Sequence, residues 1–446
     1  MGAVVVGVFV IAFVVRLSWL VHVQSPLDSV YSDMAGYVDR AEQLLQHRMP
    51  AEPKVLALFP PGTHFIVALE FLAFGRNGRM GIAIAHALVG SVPAACAVAL
   101  TVQLVPSLIA GALAGLLVAF WYPQVAFTGF FSSELWFAAA IAVQAWLGGR
   151  RWRRPAGEGL VGITSAAAIV IRSQFMLTWA IETAAVGLSR LRTRGLRRAL
   201  LDVAFLAVPV AVTLTMTSLR FHRLTGRWGL VNESAGNRLW ADTDVCKIEA
   251  SWRTPNGEEW SYWFSPPSKP SVKPSDTVTF RGYVVDPEIL GRITAERTRG
   301  VPLRDRLRRR VHNVSLLLFE NLPWPESNYH EPVRFVGFGS VDRHAIGEWF
   351  RAVLLFPVLP LGALGLALGR RNRTMFVLAA NLFTLVFAAA FFFGEARYHV
   401  PYDPFFLVLA VVGAYELLRR AARHVARRRL RPVAPEPAPA PVTSAG

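Results

Sequence analysis

Cysteine is almost absent from this sequence. Cys96 lies inside an apolar run and Cys246 in a polar stretch, and two thiols so placed build neither a disulfide framework nor a Cys-based zinc site. A glycine-rich phosphate loop of the Walker type, a His-Glu-x-x-His pair and a Gly-x-Ser-x-Gly elbow are also missing. Nothing therefore points to a nucleotide site, a zinc peptidase or a serine hydrolase. No internal repeat is visible, which counts against a transporter built from inverted repeats. Acidic residues are scarce, 30 against 47 basic ones, for a formal net charge of +17. The arginines gather at the ends of apolar runs and are not interleaved with aromatics along a groove, so they indicate topology and lipid contact and no nucleic acid.

What the chain does have is apolar length. With 446 residues, 53% hydrophobic content and a mean hydropathy of +0.37, it is too apolar for a soluble enzyme and is expected to be an all-α polytopic membrane protein. Runs near the ~20 residues needed to cross a bilayer cover 3–23, 80–104, 107–123, 135–149, 200–219, 350–369, 374–393 and 401–418. The first has no basic residue ahead of it and no small-residue cleavage site, so it is expected to stay as an anchor. Arginine clusters at 150–154, 190–198, 370–373 and 419–431 belong in the cytoplasm. Residues 159–188 lie between two such clusters and must enter and return, breaking at Arg172-Ser173-Gln174. Parity then leaves the short run 61–75, which carries His64 and Glu70, as a helix in the outer interface. About ten crossings result, with both termini cytoplasmic. Residues 24–79, the turn at Ser132-Ser133-Glu134, the turn at Arg172, the long loop 220–349 and the turn Gly394-Glu395-Ala396-Arg397-Tyr398 lie outside.

This divides the chain into a transmembrane module 1–219, an external loop or domain 220–349, C-terminal transmembrane helices 350–418 and a basic, then Pro/Ala-rich, cytoplasmic tail 419–446 expected to be disordered. The loop is long enough for a small domain or a set of interface helices. Its Trp228, Trp240, Trp252, Trp260, Trp263 and Trp324 are expected at headgroup level, with sugar stacking as the alternative. It also holds a Pro-rich stretch at 265–270, a basic run at 304–310 and two glycosylation patterns at Asn232 and Asn313.

The chemistry centres on Asp33. Tyr37, Ala41, Leu44 and Leu45 recur at helical spacing, which puts Ser32 or Asp33 at the start of an amphipathic helix on the membrane surface. Asp33 is then either an N-cap or a general base for an incoming hydroxyl; Asp28 is a nearby competitor. The other outer turns bring Glu134, Arg172, Glu395, Arg397, Tyr398 and His399 to the same side. With a sugar donor carried on a polyprenyl phosphate, the leaving lipid phosphate needs cations more than a protonating acid, and Arg172, Arg397 and Arg16 are candidates for that role. One carboxylate suffices as base, attack opposite the phosphate inverts the anomeric centre, and Glu134 positions Asp33, the acceptor or a divalent cation. The structural alternatives are a wet-loop carboxylate for Glu134 and an Arg397–Glu395 salt bridge.

Asp33 and Tyr37 at the start of a helix just after the first span, then Pro60-Pro61 and an apolar helix ending in Phe74-Gly75, resemble the GT-C glycosyltransferases of the family 39 type. That family includes protein O-mannosyltransferases and the lipid A aminoarabinose transferase. Glu134 matches the acidic residue of the next external turn, the segment from Arg220 to Trp240 resembles the start of the large loop, and Glu395-Ala396-Arg397-Tyr398-His399-Val400-Pro401 resembles the late Arg-Tyr-x-x-Pro signature. The resemblance implies two juxtamembrane helices in the first external loop, Asp33 as the catalytic base, and Tyr37, Glu134, Arg172, Arg397, Tyr398 and His399 around the substrate. It implies transfer of a hexose or pentose from a polyprenyl-phosphate donor to an extracytoplasmic acceptor, at the outer face of a bacterial inner membrane. Met34 departs from the pattern, since several members have Glu there. The rival readings are a transporter or flippase of lipid-linked saccharide and a non-catalytic partner in a cell-envelope complex.

Overall fold

A computed structural model of the chain describes residues 1–50, 53–150, 152, 154–233, 235–243, 245, 247–253, 257, 259–264, 277–282, 286–320, 332–335, 339–392 and 394–429. The helices are α1 (Gly2–His22), α2 (Ser32–Leu45), α3 (Gly62–Phe74), α4 (Arg79–Leu104), α5 (Leu108–Ala119), α6 (Tyr122–Ala126), α7 (Ser133–Gly148), α8 (Pro155–Ile171), α9 (Phe175–Arg194) and α10 (Leu196–Thr225). Then come α11 (Ala235–Asp242), α12 (Pro287–Thr298) and α13 (Leu303–Ser315), followed by α14 (Arg343–Val353), α15 (Leu359–Leu368), α16 (Arg373–Phe391) and α17 (Asp403–Arg429).

Among the described residues, five helical stretches are long and apolar enough to cross a membrane: α1, α4, α10, the α14–α15 run and α16. A sixth is the pair bent by 53° that begins with α5. The chain is a multi-pass membrane protein. Its lipid-facing surface is visible on α10, where Leu201, Phe205, Val208, Val212 and Met216 are all exposed, an apolar patch that water disfavours and acyl chains accept. The opposite side is the core. Val8 and Ala12 of α1, Ala94 and Ala97 of α4, Ala114 of α5, Phe137 and Ile141 of α7, Leu378 of α16 and Leu409 of α17 form one buried cluster. Small residues at these contacts let the helices approach closely.

The chain turns back at Arg172-Ser173-Gln174, between α8 and α9. At the far end of these helices Glu158 of α8 is buried and accepts from Arg373 at 2.7 and 2.6 Å and from Arg190 at 3.2 Å. Arg190 also reaches Asp202 at 2.9 Å. This network ties α8, α9, α10 and α16 together.

After α1 come the juxtamembrane helices α2 and α3. α3 is short and apolar, and its Glu70 meets His86 of α4 at 3.1 Å. A side chain at Gly62 would bring Cβ to 2.7 Å from the carbonyl oxygen of Val170. Glycine there lets the first turn of α3 press against the end of α8, just before Arg172.

The long stretch between α10 and α14 corrects the all-α expectation. β1 (Lys247–Arg253) pairs antiparallel with β2 (Glu259–Phe264) and parallel with β3 (Thr277–Arg281), and β4 (Pro332–Phe335) pairs antiparallel with β5 (Gly339–Asp342). Ile248, Ala250 and Trp252 alternate inward along β1 and join Leu239, Trp240, Val245 and Leu290 in a small core. Trp240 and Trp252 are thus core residues and are not free to stack on sugar. Trp228 is exposed and stacks on His222, with ring centroids 4.2 Å apart. Asn313 is buried and donates to the Ala241 carbonyl at 3.2 Å, which leaves no room for a glycan. Cys246, the stretch 265–270, Trp324 and the tail from residue 430, like the side chains of Trp260 and Trp263, lie outside the described residues.

Candidate active site

Asp33 stands in the first turn of α2, directly after Ser32, whose φ is +51°. Left-handed backbone at a non-glycine residue costs about 1–2 kcal/mol, so the surrounding packing must hold it. Met34 and Tyr37 supply that packing in a cluster with Phe71 and Phe131, and the Tyr37 ring lies edge-on to Phe59 at 5.3 Å. The side chain of Asp33 does not cap its own helix. It reaches across to Arg397, with Oδ2 2.9 Å from Nη2.

Arg397 is the hub. Its Nε donates to Glu395 Oε2 at 3.0 Å and lies 3.8 Å from Glu134 Oε1. Glu134, in the first turn of α7, is also paired with Arg172, whose Nε donates to Ser133 Oγ at 3.0 Å. The Tyr398 ring faces both guanidinium groups, 5.1 Å from Arg172 and 5.4 Å from Arg397. Asp33, Tyr37, Glu134, Arg172, Arg397 and Tyr398, expected together, do converge here. Exposure separates the three carboxylates: the Asp33 side chain is 23% exposed, Glu134 3% and Glu395 2%. Of the three, only Asp33 is accessible.

Electrostatics follow from that burial. Burial pushes the Glu395 carboxyl up to about 7, against the opposing pull of Arg397 and with the added repulsion of Asp33 and Glu134. Burial lowers the affinity of Arg397 for its proton, but Glu395, Asp33, Tyr398 and Glu134 outweigh it and hold the guanidinium charged. The Tyr398 hydroxyl is pushed up to about 12, first by burial and then by Glu395. Tyr37 is raised as well, by burial and by Asp33 and Glu134. Both phenols are neutral hydrogen-bonding groups at physiological pH.

Three expected participants are engaged elsewhere. His399 is buried, and its Nδ1 lies 2.7 Å from Asp403 Oδ1, while Asp403 Oδ2 accepts from Trp121 Nε1 at 2.7 Å. This chain of contacts braces the turn that presents Arg397 and occupies His399 Nδ1. Asp28 accepts from both Nη atoms of Arg79, at 3.0 and 2.6 Å, and from the Ser25 backbone at 2.9 Å, as an ion pair and helix cap. Arg16 is fully buried and donates to the carbonyls of Ala119 at 3.0 Å and Val118 at 3.3 Å, closing the C-terminus of α5. Ser133 and Asp403 were not singled out as site residues; only the fold brings Asp403 to Trp121. Among the described residues no group of three or more His, Cys, Asp or Glu is set to hold a metal ion.

No family model matches the chain, and no curated protein matches it. Solved structures do. The oligosaccharyltransferase AglB of Archaeoglobus fulgidus, solved with an inhibitory peptide and a dolichol-phosphate, superposes with a TM-score of 0.50 at 14% identity, over 97% of this chain and 52% of that one. The apo form of the Archaeoglobus fulgidus oligosaccharyltransferase gives a TM-score of 0.51 at 15% identity, over 95% and 52%. The chain has the GT-C fold. It spans about half the length of the oligosaccharyltransferase it matches. ArnT from Cupriavidus metallidurans, bound to undecaprenyl phosphate, gives a TM-score of 0.38 at 14% identity over 97% of this chain and 81% of that one, too low to bear on the fold.

Proposed function

We propose that this chain is a membrane glycosyltransferase that moves a sugar from a polyprenyl-phosphate donor to an extracytoplasmic acceptor, a glycan, lipid or protein of the cell envelope, with inversion at the anomeric carbon. The observation that carries the reading is that Asp33, the one accessible carboxylate of its cluster, pairs with Arg397, while Arg172 joins the same cluster through Glu134 and the Tyr398 ring. In this reading Asp33 takes the proton of the acceptor hydroxyl as its oxygen attacks the anomeric carbon. The bond to the phosphate oxygen breaks, its electron pair leaves with the lipid phosphate, and Arg172 and Arg397 stabilise the charge that develops there. Arriving phosphate competes for Arg397 and frees Asp33 to act as a base. The oligosaccharyltransferase with the same fold was solved with a dolichol-phosphate, and a lipid phosphate of that class is what this reading gives the two arginines.

The reading keeps ten crossings in a bacterial inner membrane, with the cluster on the outer face. The helices α7, α8 and α9, the bent pair and the apolar half of α17 then cross as well. Residues 1–219 and 350–418 form the transmembrane body and 220–349 the external domain. The arginine clusters at the opposite helix ends support that orientation.

The test is transfer of radiolabelled sugar from polyprenyl-phosphate donors in membranes, comparing wild type, Asp33→Asn and Asp28→Asn at matched expression. We expect activity to be lost only with Asp33→Asn. Equal activity in all three overturns the assignment, and a lipid-linked saccharide that crosses the bilayer unreacted points to the transporter instead.

A further inference from the structure

One side of α13 is apolar and open. Leu303, Leu307 and Val311 are 71%, 57% and 69% exposed and four residues apart, so they form one stripe along the helix. At 3.6 residues per turn, Arg304 and Arg308 fall along one edge of that stripe, and Asp305 falls on the opposite side of the helix. Both arginines are exposed, and neither makes an ion pair among the described residues. An apolar stripe edged by arginine is the pattern of a helix that lies in a membrane interface, with its apolar side among acyl chains and its cations among headgroups.

The contacts of α13 put that stripe at a membrane boundary. Arg310 donates to the carbonyls of Ala390 and Phe391 at 3.1 and 3.4 Å, in the last turn of α16, and its guanidinium group lies 5.2 Å from the centre of the Phe391 ring. α16 is long and apolar enough to cross a bilayer, so its last turn marks one limit of the hydrocarbon layer, where Phe391 and Phe392 are exposed. Leu307 and Val311 stand within one turn of Arg310, so the stripe is continuous with that limit. The far end of α13 is fixed in the protein: Val314 packs on the main core, and a side chain at Gly394 would overlap the Asn313 carbonyl. α13 therefore presses on the start of the turn that holds Glu395 and Arg397.

We propose that α13 is a docking surface for an anionic lipid leaflet. Leu303, Leu307 and Val311 enter the boundary between headgroups and acyl chains, and Arg304 and Arg308 gather acidic headgroups along the helix. Continuity with the end of α16 and charge complementarity select lipid as the occupant. A second copy of the chain is disfavoured, because a two-fold contact through this stripe brings the arginine edges of both copies together. Through Asn313 and Gly394 the docked leaflet braces the turn that presents Arg397. The inference rests on the chain being a membrane protein and does not depend on sugar transfer.

The experiment puts a bimane fluorophore on Leu307→Cys in the full chain carrying Cys96→Ala and Cys246→Ala. The protein sits in nanodiscs of phosphatidylcholine and phosphatidylglycerol, with bromine on the acyl chains of one lipid or of the other. The stripe should lie about 5–10 Å into the boundary of headgroups and acyl chains, so the bromines should quench the fluorophore. The same fluorophore on Asp305→Cys, on the far side of the helix, should be quenched far less. Brominated phosphatidylglycerol should quench more than brominated phosphatidylcholine, from a local enrichment of about fivefold for each arginine, and Arg304→Gln/Arg308→Gln should remove that preference. Asp33→Asn should leave the quenching unchanged, so failure of the transferase reading does not touch this result. The proposal is overturned if Leu307→Cys is quenched no more than Asp305→Cys, if the two lipids quench alike, or if the arginine variant keeps the preference. Energy transfer between Leu307→Cys labels on two copies, with quenching by neither lipid, gives the stripe to a second copy and also overturns it.

Discussion

Two clusters of arginine and carboxylate sit at opposite ends of α8, 14 residues and so about 21 Å apart along the helix. At one end Glu158 is buried, with both oxygens on the fork of Arg373 and a further contact to Arg190. At the other end Arg172 and Arg397 gather Glu134, Asp33 and Glu395. The residue types are the same. What differs is access: the first cluster buries its carboxylates, Glu158 and Asp202, whereas the second leaves one of its three, Asp33, open. A closed cluster locks helices together. An open one, with a carboxylate whose arginine partner a phosphate can claim, can do chemistry.

The contrast is sharpest under substitution. Glu158→Gln breaks a buried pair and leaves Arg373 and Arg190 short of an anion, so it should lower stability by about 3–5 kcal/mol. Denaturant unfolding in lipid discs measures this, and transfer per folded molecule should stay at the wild-type value. Arg397→Gln should act the other way, lowering transfer by about 10²-fold or more, the cost of removing one donor to developing charge. Arg397→Lys should recover only part of that loss, because an ammonium group lacks the planar fork. A Glu158→Gln protein with the stability of wild type, or an Arg397→Gln protein with full activity, would break the comparison.

A smaller effect concerns pH. Glu395 holds its proton up to about 7 in the folded chain, above the ordinary 4.5, because it is buried. The folded state therefore binds more protons than the unfolded one between those values, and stability contributed by this group is full below about 4.5 and falls as pH rises through about 7. Glu395→Gln should flatten that slope, read as the unfolding midpoint between pH 5 and 8. An unchanged slope would mean that Arg397 already compensates the buried charge.

Much of this site was legible in the sequence because sidedness is written in local features. Arginine clusters set orientation, the polar interruption at Arg172-Ser173-Gln174 forced a return, and the helical spacing after Asp33 placed it at a helix start. Those features suffice to bring Asp33, Glu134, Arg172 and Arg397 to one end of the bundle. They do not encode long-range pairing: Asp403, which holds His399 four residues away, is itself anchored by Trp121 from the first half of the chain. Arg16 misled for the same reason, since its partners are backbone carbonyls of α5 about a hundred residues away. The loop strands leave only a short mark in the sequence, the alternation of Ile248, Ala250 and Trp252, which an all-α reading passes over. Trp240 and Trp252 spend their rings on the small core of this region, which hydropathy alone does not reveal.

The decisive measurement is single-turnover sugar transfer from a polyprenyl-phosphate donor in lipid discs, per folded molecule, for Asp33→Asn beside Glu158→Gln. The account predicts a fall of about 10²–10⁴-fold for Asp33→Asn, the usual contribution of a positioned base, and the wild-type rate for Glu158→Gln. A wild-type rate with Asp33→Asn, or an equal fall in both variants, would contradict it.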